Sequence, residues 1–313
     1  MNLQQLRYVH EVARRRLNVS DAAAALYSSQ PGISKQIRLL EEELGLTIFA
    51  RSGKRLTAVT EPGKLVLDIA ARVLGDLQNL RRVGDDYAGE AGGTLDVATT
   101  HTQARYALPA VVKRFMQQFP GVRLRLHQGN PEQVAEWTQR GDADIGIATE
   151  SLDQRPGLMT VPCYQWSHVV IAPVGHPIVA MGTPTLAGLA KYPLITYDPS
   201  FTGRSHIDRA FERAGLTANV VLTAIDADVI KTYVTLGLGL GIIAEMAFDP
   251  ARDAGLVALP AQGLFASSTT RLAFRRDAYL RKFDYAFIEL FAPQLTRKVV
   301  ETTIAGGSDD PGL

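Results

Sequence analysis

Between residues 62 and 89, apolar side chains recur every three or four positions, at Val66, Ile69, Val73, Leu77 and Leu80. That spacing is helical, and the stripe it draws is narrow rather than a broad buried face. Pro62 suits the first turn of such a helix, and the glycine-rich "GEAGG" of residues 89–93 suits its end. About 25 helical residues extend roughly 37 Å. A helix of that length with so thin a seam divides a chain into a part before and a part after it. The seam itself calls for a second helix, which a second copy of the chain supplies in a dimer. Packing on the chain's own second domain is the competing reading.

The part before the helix is basic. Residues 1–60 hold nine Lys or Arg against five acids, a net +4, which leaves −3 on the rest of a chain whose total is +1. "LQQLRYVHEVARRR" has helical spacing at Leu3, Leu6, Val9, Val12 and Ala13. Ser20 is placed to cap the short alanine-rich "DAAAALYSS". In "SSQPGISKQIRLLEEELG", Pro31 sits at a helix start, Ile33, Ile37, Leu40 and Leu44 form one stripe, and Gly45 ends it. Two short helices joined by a brief turn fit the helix-turn-helix plan. The second would offer Gln30, Ser34, Lys35 and Arg38 to base edges and phosphates. "TIFARSGKRLTAVT" alternates as a hairpin with Arg51, Lys54 and Arg55 at its tip, a wing whose cations neutralise phosphates. Glu41, Glu42 and Glu43 are expected to be solvated, with at most a packing or partner role. The expectation is a winged helix-turn-helix over residues 1–60 that binds double-stranded DNA, followed by a linker helix over 61–89.

After residue 90, strand and helix patterns alternate. "TLDVATT", "VRLRLHQG" and "ADIGIAT" read as strands separated by the helices "ALPAVVKRFMQQF" and "NPEQVAEWTQRG". This is a βαβαβ unit, whose ligand-facing loops lie at the strand C-terminal ends. "SHVVIAP", "YPLITY", "ANVVLTAI" and "LGIIAE" add strands, and the last apolar segment gives a strand and a helix. Residues 90–300 are therefore expected to form two α/β lobes around a cleft. Lobe I takes residues 94–162 and 267–293, and lobe II takes 163–266. Residues 301–313 are expected to be a disordered tail.

Three polar clusters fall at strand ends: Thr100, His101, Thr102 and Gln103; Thr149, Glu150 and Ser151; and "FTGRSH" with Thr202 and Gly203. Hydroxyls, an amide and N–H groups at helix starts suit an anion without any formal cation. Strand-end threonines also serve as ordinary helix caps, so sequence leaves open whether the three clusters meet. His101 serves either as a ligand donor or as a structural hydrogen-bonding group.

Several function classes are disfavoured. "GRSHID" sets Ser205, His206 and Asp208 close in sequence, but adjacent helical residues do not face each other and no G-x-S-x-G elbow surrounds Ser205. "GLGLGII" has its glycines after a helix and before a strand, the reverse of a dinucleotide fingerprint. Cys163 is the single cysteine, expected in the core at a lobe crossover, and no Cys/His set has zinc spacing. No apolar run approaches the roughly 18 residues of a membrane span, and no signal-peptide core precedes "ARRRLN". A cytoplasmic protein that is not an enzyme is expected. The rival is an enzyme or transport-type binding protein with an accessory helical domain.

"LQQLRYVHEV", "SSQPGISKQIRLLEEELGLTIFARSGKRL" and "PGK" resemble the N-terminal domain of LysR-type transcriptional regulators. "ATTHTQARYALP", "FTGRS", "DADVIKTYV" and "LGLGLGIIAE" narrow the resemblance to the CysB-type branch, regulators of sulfur assimilation and sulfonate use. It covers about residues 1–300. The resemblance implies an N-terminal, mainly α, winged helix-turn-helix, a dimerising linker helix, and an α/β effector domain of two lobes like a type 2 periplasmic binding protein. It also implies a homodimer or homotetramer, RNA polymerase as a partner, and no cofactor beyond an effector such as sulfate, N-acetylserine or adenosine phosphosulfate. Carried over residue by residue, the effector positions are Thr100, Thr102, Gln103, Thr149 and Thr202, with Trp166 as an aromatic near the cleft. The DNA-reading positions are Gln30, Pro31, Ser34, Lys35 and Arg38. The C-terminal tail is shorter than, and unlike, that of the branch. A LysR-type regulator of another pathway is the remaining alternative.

Overall fold

Side-chain caps define where the N-terminal helices begin. The structure, a computed structural model, describes residues 1–53, 55–87 and 92–306. It forms two units, residues 1–85 with 277–279, and the remainder. In the first unit, α1 (Leu3–Arg14), α2 (Val19–Ala25) and α3 (Gln30–Leu44) precede a hairpin of β1 (Phe49–Ser52) and β2 (Arg55–Val59), then α4 (Glu61–Tyr87). Asn2, Asn18 and Ser29 cap the three short helices. Asn18, not Ser20, caps α2, because its Oδ1 reaches the N–H groups of both Ser20 and Asp21 at 3.1 and 3.2 Å. Val9, Val12, Ile33, Ile37, Leu40, Ile48 and Phe49 fill the core.

Glu41 is not solvated as expected. Its Oε1 accepts the backbone N–H groups of Ile48 and Phe49 at 2.8 and 3.1 Å, and its Oε2 accepts Arg51 Nη2 at 2.9 Å. The carboxylate thus ties the hairpin to α3. At Gly63, a Cβ would stand 2.2 Å from the Ile48 carbonyl oxygen, so only glycine lets α4 start against that segment. The apolar seam of α4 lies one residue off at its start. Val66 packs on the unit's own core, while Leu65, Ile69, Val73 and Leu80 are exposed.

The second unit begins with β3 (Gly93–Thr99), α5 (Leu108–Gln118), β4 (Val122–Gln128), α6 (Pro131–Arg140), β5 (Ile145–Ala148) and β6 (Leu158–Trp166). It continues through β7 (His168–Pro173), α7 (Pro177–Ala180), α8 (Leu186–Leu189), β8 (Leu194–Tyr197), α9 (Thr202–Arg213), β9 (Val220–Ala224), α10 (Ala227–Thr235), β10 (Leu240–Ala244) and β11 (Leu256–Pro260). β12 (Ser268–Arg275), α11 (Lys282–Phe291) and α12 (Arg297–Ile304) close it. Two five-stranded sheets result, in orders β4-β3-β5-β12-β6 and β11-β7-β10-β8-β9. In the first, β3 runs parallel to β4 and β5, and the returning β12 is antiparallel. These are the two lobes.

The chain crosses between lobes later than the sequence suggested. β6 pairs with β12 up to Trp166, opposite Ser268, so residues 163–166 belong to lobe I. Cys163 is consequently a lobe I core residue, and burial pushes its thiol up to about 12. The expected tail is also partly ordered, since α12 runs through residues 301–304; residues 307–313 lie outside the described residues.

Lobe I is braced by a buried ionic cluster. Arg281 donates to Asp284 at 2.9 and 3.0 Å and to Asp144 at 3.0 Å, and Asp144 accepts the Asp96 N–H at 3.0 Å. Arg281 is 7% exposed, so its charge depends on these partners. Replacing Asp284 by Ala strips it of one carboxylate. The expected cost is about 3 kcal/mol of unfolding free energy, read by urea denaturation. A loss below about 1 kcal/mol would show that Asp144 alone suffices.

Candidate functional site

The strand-end clusters converge. β3 ends at Thr99 and a helix starts at His101, with a π-helical turn over Gln103–Ala107 leading into α5. β5 ends at Ala148, before a 3-10 turn that Thr149 precedes. In lobe II, β8 leads to α9, whose N-cap Phe201 offers no side-chain acceptor. First-turn N–H groups without such a cap are donors for a ligand. Thr100, Thr102, Gln103, Thr149, Trp166, Thr202 and Gly203 all line one cavity of about 30 Å³, room for a molecule or two of water. Pro131, Tyr197 and Phe201 also line it, and among the described residues none that lines it carries a formal charge.

Two lobes meet at this cavity. Thr149 Oγ1 of lobe I donates to Thr202 Oγ1 of lobe II at 2.6 Å. Gln103 is held in place rather than free: its Nε2 donates to Thr270 Oγ1 at 3.1 Å, and its Oε1 accepts the Tyr164 hydroxyl. One amide hydrogen remains for the cavity. The Trp166 indole N–H is buried without an acceptor among the described residues. Tyr197, which accepts the Ala244 N–H at 3.0 Å, is pushed by burial up to about 12 and stays a neutral hydroxyl. Neither Tyr197 nor Phe201 was singled out from sequence, though both are apolar residues flanking the strand-to-helix loop that carries Thr202.

His101 does not line the cavity. Its Nδ1 meets Gln128 Oε1 at 3.2 Å and its Nε2 stands 3.8 Å from Asp228 Oδ2. Asp228, on α10, gathers lobe I side chains: it accepts the Tyr106 hydroxyl at 2.6 Å and Arg105 Nε at 3.3 Å, with Lys231 at 3.1 Å. Burial opposes its charge, but Tyr106, Lys231 and Arg105 outweigh that and hold the carboxyl at about 2. His101, Asp226 and Asp228 bring donor atoms within 4.8 Å of one another. Arg105 and Lys231 already supply the positive charge a metal ion would bring. Sequence reading missed this second bridge between the lobes, because Arg105 and Asp228 are 123 residues apart. The "GRSHID" residues form no relay: Ser205 Oγ donates to the Thr202 carbonyl, His206 Nδ1 meets that of Ala266, and Asp208 takes Arg204.

In the first unit, Gln30, Pro31, Lys35 and Arg38 are exposed along the N-terminal half of α3, with Ser34 half-buried. A groove of about 1020 Å³ is lined by Gln30, Arg55, Ser52 and Thr57 together with Arg15, Arg16, Asn18 and Ser20. Arg15 and Arg16 were not among the expected contacts; their run "ARRR" was the available signal. Arg51 differs from expectation, since Glu41 holds its guanidinium, and it is only partly exposed. Lys54 lies outside the described residues.

A helix-turn-helix with a wing, carried with a two-lobed binding domain, defines a DNA-binding protein that responds to a small ligand. The chain matches the model of the bacterial regulatory helix-turn-helix protein, lysR family, over residues 3–64, and that of the LysR substrate binding domain over residues 88–296. It belongs to the LysR family of transcriptional regulators. It is 56% identical to the HTH-type transcriptional regulator SsuR of Burkholderia cenocepacia, with 98% of each chain covered. It is 49% identical to the HTH-type transcriptional regulator CysB of the same organism, with 99% of each covered. Among solved structures, the cofactor-binding domain of the Cbl transcriptional regulator superposes with a TM-score of 0.65 at 45% identity, over 68% of this chain and 93% of that one. No helix of the described residues is long and apolar enough to cross a membrane.

Behind the cavity wall, His168 is 2% exposed and burial, then the nearby His206, lower its pKa to about 4. An unfolded histidine titrates near 6.5, so below about pH 6.5 the unfolded chain takes a proton that the folded chain refuses. Stability present at neutral pH is therefore lost as pH falls toward 4. Between about pH 7.5 and about pH 4.5 this one residue contributes a loss on the order of 2 kcal/mol. Urea midpoints at the two pH values should fall less in His168→Phe than in the parent chain; equal falls would place the acid sensitivity elsewhere.

Proposed function

We propose that this protein is an effector-responsive transcriptional regulator of genes for sulfur assimilation or sulfonate use, sensing a small sulfur-pathway anion between its lobes. The observation that carries the reading is the convergence of Thr100, Thr102, Thr149 and Thr202 on one uncharged cavity beside the start of α9. Such a site binds an oxyanion through hydroxyls and helix N–H groups. The relatives named SsuR, CysB and Cbl support the sulfur assignment, and the higher identity to SsuR favours the sulfonate side. The small cavity favours a tetrahedral anion such as sulfate. N-acetylserine or adenosine phosphosulfate requires the lobes to part at Thr149–Thr202.

The anion bridges the lobes and shifts their closed population, which alters how the protein's copies sit on DNA. The exposed seam Leu65, Ile69, Val73 and Leu80 on α4 supports pairing of copies as a dimer or tetramer. Gln30, Ser34, Lys35, Arg38 and Arg55 contact the double helix, and RNA polymerase is the downstream partner. Arg51 acts through the wing it steadies.

Calorimetric titration of the full chain with sulfate, N-acetylserine and adenosine phosphosulfate tests the reading. At least one should bind, and Thr149→Val should weaken it about tenfold, the worth of one hydrogen bond to a charged group. Silence from all three, or binding indifferent to Thr149→Val, would remove the anion assignment. Lys35→Ala and Arg38→Ala should each flatten the salt dependence of DNA affinity by about one unit of slope.

A further inference from the structure

The cavity poses a charge problem, and the nearest answer to it is a histidine that the effector does not touch. Among the described residues, none of those lining the cavity is charged. Directly behind two of them stands His168, on β7. Its Nε2 lies 2.9 Å from where a Cβ on Gly203 would be, and Trp166 Cη2 lies 3.3 Å from the same point. The ring packs edge-on against Trp166, with centroids 5.1 Å apart, and against Phe265 at 5.6 Å. Neither ring nitrogen has a hydrogen-bond partner among the described residues, although the residue is almost fully buried. A buried imidazole of this kind forgoes the partners that such groups normally find. Gly203 is the residue that permits the approach, because any side chain there meets the ring.

We infer that His168 is the proton-linked counter-charge of the effector site: an oxyanion seated at the start of α9 draws a proton onto this imidazole, so that ligand and proton bind together. The inference rests on the anion reading above. The surroundings of the ring leave the role to His168. β6 presents Trp166, β10 presents Ala244 opposite His168, and the segment before β12 presents Phe265. α9 presents Gly203 and His206, and among the described residues His206 is the titratable group that acts on the ring, against a second positive charge. Without an anion, burial keeps the ring neutral, with its pKa lowered to about 4. Each unit of negative charge about 6 Å away, at an effective dielectric of about 20, raises its proton affinity about a hundredfold. The sign is fixed: anion binding raises the folded-state pKa, so affinity grows as pH falls. Trp166, between ring and cavity, carries the same polarity with its unpartnered N–H.

The probe is inorganic sulfate, which stays a dianion throughout the range used. The full chain is titrated by calorimetry at about pH 7.5 and about pH 5.5, each in two buffers of different ionisation enthalpy, so that protons taken up per sulfate are counted directly. The two charges of sulfate together raise the ring's proton affinity about ten-thousandfold, so binding should tighten on the order of 70-fold at the lower pH, with uptake of nearly one proton there and about 0.8 at the higher pH. In His168→Phe, which keeps the aromatic packing, the affinity ratio should fall to about one and the uptake should vanish. If that variant does not fold, His168→Gln, which cannot ionise, reads the same loss. In His206→Gln, uptake should persist and move to higher pH. Sulfate binding without proton uptake, or uptake that survives loss of His168, overturns the inference and leaves the anion site standing. No sulfate binding at either pH overturns both.

Discussion

The hydrogen bond between Thr149 and Thr202 is the point on which the binding domain turns. It joins a hydroxyl at the end of a lobe I strand to one at the start of a lobe II helix. Both groups can exchange this mutual bond for bonds to an oxyanion, since a hydroxyl both donates and accepts. Closure of the cleft and capture of a ligand therefore draw on the same atoms. Everything that positions those atoms follows from two sheets that share a chain crossing twice, once after Trp166 and once before Ser268.

Among the described residues, the site places no cation where an anion is to be bound. Basic residues are abundant elsewhere, and Arg105 and Lys231 stand nearby, but Asp228 holds both. That arrangement suits a sensor. A fixed charge in the cleft binds tightly but pays a large desolvation cost when the cleft closes over it. Hydroxyls and helix N–H groups give weaker, reversible binding with the same geometric selectivity. The second bridge, from Tyr106 and Arg105 to Asp228, lies on the turn that begins at Gln103 directly after Thr102, so cavity and bridge share one stretch of backbone. The π-helical turn there is the kind of local irregularity that proteins place at functional sites.

Much of this was legible in the chain itself. Periodicity and proline positions located α1, α3, α4, α5 and α6 closely, because those helices announce their starts and bury one stripe. The seven residues expected around the effector, His101 aside, do line one cavity. What failed was long-range or reciprocal. Glu41 reads as a surface acid until the hairpin folds back to present the N–H groups of Ile48 and Phe49. His101 reads equally as a ligand donor or a structural hydrogen-bonding group, and only Gln128 and Asp228, arriving from other elements, favour the second. The lobe crossing was placed four residues early because β6 continues past Pro162 through a register shift opposite Thr270 and Arg271, which alternation does not encode. Tyr197 and His168 belong to no motif and Phe201 only opens "FTGRS", so it is packing that brings Tyr197 and Phe201 to the cavity wall and His168 behind it.

The most direct measurement is the anomalous difference map of crystals grown with selenate, an isosteric and heavier analogue of sulfate. The account predicts one strong peak bounded by Thr100, Thr102, Thr149 and Thr202 at the start of α9, with the Thr149–Thr202 bond exchanged for bonds to its oxygens. A peak confined to the basic groove of the N-terminal unit, with none between the lobes, would contradict it.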